Sequence, residues 1–125
     1  MSQHILFVDD EVPIRETLTL YFKAKGIAVS TAESGEEAIR MLEETPFNLV
    51  ILDLKLGDEN GLDLLERFKK MQPSLPVIMF TSQGEDPELV TEALAKGANA
   101  YMSKSESLDQ LMKEVERAMQ PASTP

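Results

Sequence analysis

Leu49-Val50-Ile51-Leu52-Asp53 sets four apolar residues in a row and ends them on a carboxylate. A half-buried strand alternates apolar with polar residues. An unbroken run of this length fits a strand covered on both faces, as in a parallel sheet with helices above and below. Working outward, comparable runs occur at residues 5–8, 27–30, 77–80 and 100–102. Between the runs, apolar residues recur every three or four positions. The stripes are Ile14, Leu18, Tyr21 and Phe22, then Ala38, Ile39 and Leu42, then Leu64, Leu65, Phe68 and Met71. Two more follow, Leu89, Val90, Ala93 and Leu94, and Leu108, Leu111, Met112, Val115 and Met119. That period belongs to the amphipathic helix. Asp86-Pro87 reads as an N-cap followed by proline at the first helical position. Gly26 and Gly97, each after a lysine, fall where helices stop. Strand–helix alternation five times over predicts right-handed crossovers and an α/β fold of (βα)5 type, a doubly wound five-stranded parallel sheet.

Composition bounds the rest. A chain of 125 residues with 42% hydrophobic residues holds one packed domain. We expect it to span residues 1–120, with 121–125 as a C-terminal tail or the start of a linker. The absence of cysteine excludes disulfides, zinc thiolate sites and cysteine nucleophiles, and suits a reducing cytoplasm. No apolar run approaches the roughly 20 residues needed to span a bilayer. Residues 1–4 enter the first run without a basic region or a small-residue cleavage site, so neither a membrane span nor a secretory signal is expected. The net charge of −10, from 22 acidic and 12 basic residues, argues against direct binding to nucleic acid or to an anionic membrane. The sole histidine, His4, stands just before the first strand and is read as structural.

In a parallel α/β sheet, ligands bind in the crevice at the carboxyl ends of the strands. The residues following each apolar run are therefore the informative ones. Asp9, Asp10 and Glu11 follow the first run, Asp53 the third, Thr81 and Ser82 the fourth, and Lys104 the fifth. Singly, each has a plain explanation. Asp10 could cap a helix, Asp53 could end a strand, Thr81 could close a turn and Lys104 could be a solvated charge. In the common five-strand order 2-1-3-4-5, however, strands 1 and 3 are neighbours, and Asp9, Asp10 and Asp53 converge. Two carboxylates about 4 Å apart repel by about 1 kcal/mol in water and about 4 kcal/mol at an effective dielectric near 20. Such a cluster calls for a cation, and hard oxygen ligands suit Mg²⁺. A hydroxyl (Thr81) and an ammonium (Lys104) can bind the non-bridging oxygens of a phosphoryl group, whose transfer needs chiefly positioning and electrostatic stabilisation. An aspartate can be the acceptor. Asp53 is the best candidate, with Asp9 and Asp10 left to hold metal.

The segments Phe7-Val8-Asp9-Asp10-Glu11, Leu52-Asp53-Leu54 leading to Gly61, Thr81-Ser82 and Tyr101-Met102-Ser103-Lys104 resemble the receiver domain of two-component response regulators. The resemblance runs from about His4 to Met119, with every anchor in order. It implies the flavodoxin-like strand order 2-1-3-4-5 and a histidine kinase or phosphotransfer protein as phosphodonor. Asp53 would become an aspartyl phosphate, in a protein that catalyses only its own phosphorylation and dephosphorylation and is otherwise no enzyme. It further implies Mg²⁺ (or Mn²⁺) held by Asp9, Asp10, Asp53 and the backbone carbonyl of Lys55, with Asp9 acting partly through water. Thr81 and Tyr101 would be the switch pair. The face of the fourth helix, fifth strand and fifth helix would carry the output to an effector domain or partner protein, and is one route to a homodimer. Lys55 and Gln83 would flank the path of the hydrolytic water and tune dephosphorylation.

Departures from the family pattern are few. Gly57 stands where many receivers have proline, which should loosen that loop. Ser105 follows the lysine where proline, often cis, is usual. A cis bond without proline costs about 2.5–4 kcal/mol, so a trans Lys104–Ser105 bond is expected. Ser82 replaces a common alanine. Three rival readings are weaker. A haloacid-dehalogenase-like phosphatase needs a second aspartate two residues after the nucleophile, where Lys55 stands. A flavodoxin-type cofactor module needs a glycine- and hydroxyl-rich loop after the first strand, where three acidic residues stand. A receiver-like adaptor that works without phosphorylation would have no use for an intact set of site residues.

Overall fold

In the computed structural model, which describes residues 3–82 and 86–119, the apolar runs become strands and the striped segments helices. Along the chain come β1 (His4–Val8), α1 (Val12–Ala24), β2 (Ala28–Ala32), α2 (Gly35–Glu44) and β3 (Leu49–Leu52). The short strands β4 (Lys55–Leu56) and β5 (Glu59–Asn60) follow, then α3 (Gly61–Met71), β6 (Val77–Thr81), α4 (Pro87–Ala95), β7 (Ala100–Ser103) and α5 (Leu108–Met119). The main sheet is parallel throughout, in the order β2-β1-β3-β6-β7. With the β4–β5 hairpin set aside, this is the 2-1-3-4-5 order and the flavodoxin-like (βα)5 fold expected from the sequence. Gln83, and the tail at 121–125, lie outside the described residues.

The unbroken apolar runs have a direct cause in the layering. Successive strand side chains point to opposite faces, and here both faces are covered. Leu6, Val8, Val50, Leu52, Val77 and Met79 pack with α2, α3 and α4 residues such as Leu42, Leu65 and Phe68. Ile5, Phe7, Leu49, Ile51, Ile78 and Phe80 pack with Leu18, Phe22, Leu111 and Val115 of α1 and α5. Every residue of β3 is fully buried.

Helix ends follow the punctuation. Asp86 caps α4, its carboxylate accepting from the Glu88 amide at 2.9 Å, with Pro87 in the first turn. At the end of α1, Gly26 takes φ +81. Its N–H donates to the Lys23 carbonyl at 3.0 Å, and that of Ile27 to Phe22 at 2.9 Å. This is a Schellman closure, repeated at the end of α4 by Gly97 (φ +107) and Ala98. It also corrects the second strand. Ile27, expected as the first residue of that strand, belongs to the helix cap and buries its side chain there. Pairing with β1 begins one residue later, at His4–Ala28. Two stripe residues point outward as well: Leu94 is 50% exposed and Met71 36%. The Lys104–Ser105 bond is trans, since no described peptide bond is cis.

Candidate functional site

Register delivers the acidic residues to one place. Val8 lies opposite Leu52, so the next residues, Asp9 and Asp53, leave adjacent strands side by side. Their amides continue the ladder, Asp9 N–H donating to the Ala32 carbonyl and Asp53 N–H to Val8, both at 3.0 Å. Across β3, Leu52 pairs with Met79, and Thr81 closes β6 opposite Ser103. The Lys104 amide donates to the Thr81 carbonyl at 2.8 Å, which fixes where the lysine side chain starts.

Lys104 reaches back across the carboxyl edge. Its Nζ lies 2.6 Å from Asp9 Oδ2, 2.7 Å from Glu11 Oε1 and 3.0 Å from Asp53 Oδ2. Asp9, Asp53 and Thr81 are buried, and aspartates are seldom buried unless paired, as these two are with Lys104. Asp9 Oδ1 accepts from the Glu11 amide at 2.8 Å. Its Oδ2 has the ammonium beside it but no donor aimed along a hydrogen-bond direction. Burial pushes the Asp9 carboxyl above its ordinary value; Lys104 and the Glu11 amide pull it down without cancelling the rise, to which the Asp53 charge adds. Burial alone would lower the Lys104 pKa, but the pairs with Asp9, Glu11 and Asp53 outweigh it and hold the ammonium above its ordinary value.

Carboxylate oxygens of Asp9, Asp10 and Asp53 lie within 4.8 Å of one another. Asp9 Oδ2, buried with no aimed donor and flanked by two further carboxylates, fits a hard divalent cation of the Mg²⁺ or Mn²⁺ type. Asp10 stays exposed at the rim, its Oδ2 accepting from the Gly57 amide at 3.0 Å. Gly57 takes φ +58, and its amide ties that turn to the site. The Lys55 amide faces Asp53 Oδ1 at 3.5 Å, the outer limit of a hydrogen bond, and the rest of Lys55 is exposed. Tyr101 sits on edge strand β7, opposite Met79 and half-buried against the α2–α3–α4 core.

Sequence reasoning gave no role to Glu11, Arg15 or Glu59. Arg15 donates from Nη1 to the Asp9 carbonyl at 2.7 Å and pairs with Glu33 at 3.6 Å, clamping the β1–α1 turn. Glu59 accepts from the Gly35 amide at 3.0 Å, tying the hairpin to the start of α2. Glu11 was at least visible, as the third acidic residue after β1. The other two contacts join residues whose neighbours in sequence carry no signal.

A family model described as the response regulator receiver domain matches residues 5–116. The chain is 34% identical over 117 residues to the transcriptional regulatory protein GlrR of Escherichia coli (strain K12), covering 94% of this chain but only 26% of that protein. Among solved structures it is similar to a CheY-like response regulator receiver domain protein from Methanospirillum hungatei JF-1, with TM-score 0.90, 29% identity and coverage of 95% and 94% of the two chains. It is also similar to the receiver domain of NtrX from Brucella abortus, with TM-score 0.86, 34% identity and coverage of 92% and 97%. The carboxylate edge, the sheet order and these likenesses agree, and the chain belongs to the response regulator receiver domain family of two-component signalling.

Proposed function

We propose that the chain acts in the cytoplasm as a phosphorylation switch, accepting a phosphoryl group on Asp53 from a histidine kinase or phosphotransfer protein. The observation that carries this reading is the shared placement of the Asp53 carboxylate against Lys104 Nζ, at 3.0 Å, and against the Asp9–Asp10 pair. An Asp53 oxygen would attack phosphorus as the bond to the donor nitrogen breaks, and the leaving imidazole keeps the electron pair. Lys104 and Thr81 would donate to the non-bridging oxygens. Asp9, Asp10, Asp53 and the Lys55 carbonyl would hold Mg²⁺ or Mn²⁺, which supplies neutralisation of the charge gathered there. Lys55 and Gln83 would set the access of water to the product.

Thr81 would then draw toward the phosphoryl group and Tyr101 turn inward. The face made by α4, β7 and α5 would pass the change to an effector domain or partner, or to a second copy. With a net charge of −10, any action on DNA would run through such a partner. Acetyl phosphate with Mg²⁺ should add one phosphoryl mass to the protein and none to Asp53→Asn. Equal labelling of both would remove Asp53 from the acceptor role.

A further inference from the structure

Lys104 Nζ lies within 3.0 Å of three carboxylates, Asp9 at 2.6 Å, Glu11 at 2.7 Å and Asp53 at 3.0 Å, and its hydrogen bonds go to Glu11 and Asp53. A phosphoryl group arriving on Asp53 brings new oxygens that compete for Lys104, and a present partner that can leave makes room for them. Asp9 has no freedom to do so, being fully buried and fixed by the Glu11 amide. Asp53 is the group being modified. Glu11 differs from both, because its side chain is 58% exposed and can swing into water.

Its position makes the contact notable. Glu11 is the N-cap residue of α1, and its side chain makes no cap hydrogen bond. Pro13, in the first turn of α1, has no N–H to offer that side chain. The Glu11 carboxylate reaches instead to a lysine 93 positions away.

We propose that Glu11 is an intramolecular stand-in for the phosphoryl group, its carboxylate holding Lys104 in the resting protein and departing when a phosphoryl oxygen takes its place. The contact restrains self-phosphorylation, because the donor must displace Glu11 before Lys104 can serve it. This rests on the acceptor reading of Asp53. In the step itself, an Asp53 oxygen forms the new P–O bond, the bond between phosphorus and the acyl oxygen of acetyl phosphate breaks, and acetate leaves with the electron pair. Glu11 takes no part in the bond changes and is a positioning residue.

The test compares the parent, Glu11→Gln, Glu11→Asp and Asp53→Asn, incubated with acetyl phosphate and Mg²⁺ and followed by intact mass. Glu11→Gln removes the charge. Glu11→Asp keeps it but shortens the arm by one carbon, about 1.5 Å, and favours capping of α1 over reach to Lys104. Both glutamate variants should label about fivefold faster than the parent, the scale of one exposed ion pair. Both should also bind beryllofluoride, a phosphoryl mimic with no leaving group, about fivefold more tightly. Acceleration in Glu11→Gln alone would assign the effect to net charge and overturn the stand-in role. Unchanged rates or affinities in both variants would overturn it too. A parent that takes no label fails at the acceptor reading and removes this inference with it, while Asp53→Asn shows whether label sits where the argument needs it.

Discussion

Lys104 stands between carboxylates that would otherwise face each other in a buried site, which makes it structural as well as chemical. Because its pKa is held above the ordinary 10.5, its pairing stabilises the fold fully below pH 10.5 and is lost as pH rises through the raised value. At pH 7 in EDTA, Lys104→Met should therefore cost about 2 kcal/mol in urea unfolding. That is less than for a dry pair, because the rim is wet and the carboxylates can take up protons. Mg²⁺ should restore more stability to this variant than to the parent, since a divalent ion can replace the lost cation. A variant as stable as the parent, or blind to Mg²⁺, would contradict the account. Asp10→Ala should weaken Mg²⁺ binding at least about tenfold, measured by titration calorimetry, and unchanged affinity would remove Asp10 from the ligand set. The positions of Asp9, Asp10, Asp53, Thr81 and Lys104 were legible in sequence because each lies within two residues of the end of an apolar run, and strand ends define the crevice. The Glu11–Lys104 pair and the Gly57–Asp10 bond were not. Both depend on side-chain reach and turn geometry that spacing does not encode.

At the scale of elements, two glycines illustrate different constraints. Gly26 has open space where a Cβ would go but sits at φ +81, so Gly26→Ala should cost about 1 kcal/mol from backbone conformation alone. Gly61 begins α3 against the backbone that carries Asp53. A Cβ there would collide with the Asp53 carbonyl oxygen and come within 2.7 Å of the Leu54 Cα and carbonyl oxygen. Gly61→Ala should thus cost about 2 kcal/mol or more, because backbone has to move. It should also slow Asp53 labelling, whereas Gly26→Ala leaves the rate within about twofold of the parent. Similar losses of rate in both would show that general loosening, not displacement of Asp53, is responsible. The helix stops at Gly26 and Gly97 and the start at Asp86-Pro87 were legible, because capping chemistry is local. The β4–β5 hairpin escaped notice because its strands are two residues each, too short for any period. The start of β2 was misplaced because a capping isoleucine and a strand isoleucine look alike in sequence.

For the whole molecule, the sequence supplied the alternation and the two-sided burial, while the strand order came with the resemblance, because loop lengths alone do not order a parallel sheet. That order puts α4 immediately after the strand that ends on Thr81, beside edge strand β7. Of the residues in α4 only Ala93 is buried, while its Leu94, and Met71 at the end of α3, stand partly in solvent. By contrast α2 and α3 sink Ala38, Leu42, Leu65 and Phe68 into the core. Helices with few buried apolar contacts open at lower free energy than the core, so α4 is the element a small displacement can move. The pairing of Met79 with Tyr101 and of Thr81 with Ser103 couples the site to β7 through the same strand. Phosphorylation should therefore change deuterium uptake in peptides covering α4 and β7 and leave those covering α2 unaltered. Asp53→Asn should show no change with acetyl phosphate. Thr81→Ala, if it still takes the label, should show a smaller change than the parent, because it lacks the hydroxyl proposed to draw β6 toward the phosphoryl group. Equal changes in α2 and α4 would mean that the whole fold tightens on phosphorylation and that no face is singled out. A Thr81→Ala response as large as the parent's would remove Thr81 from the route.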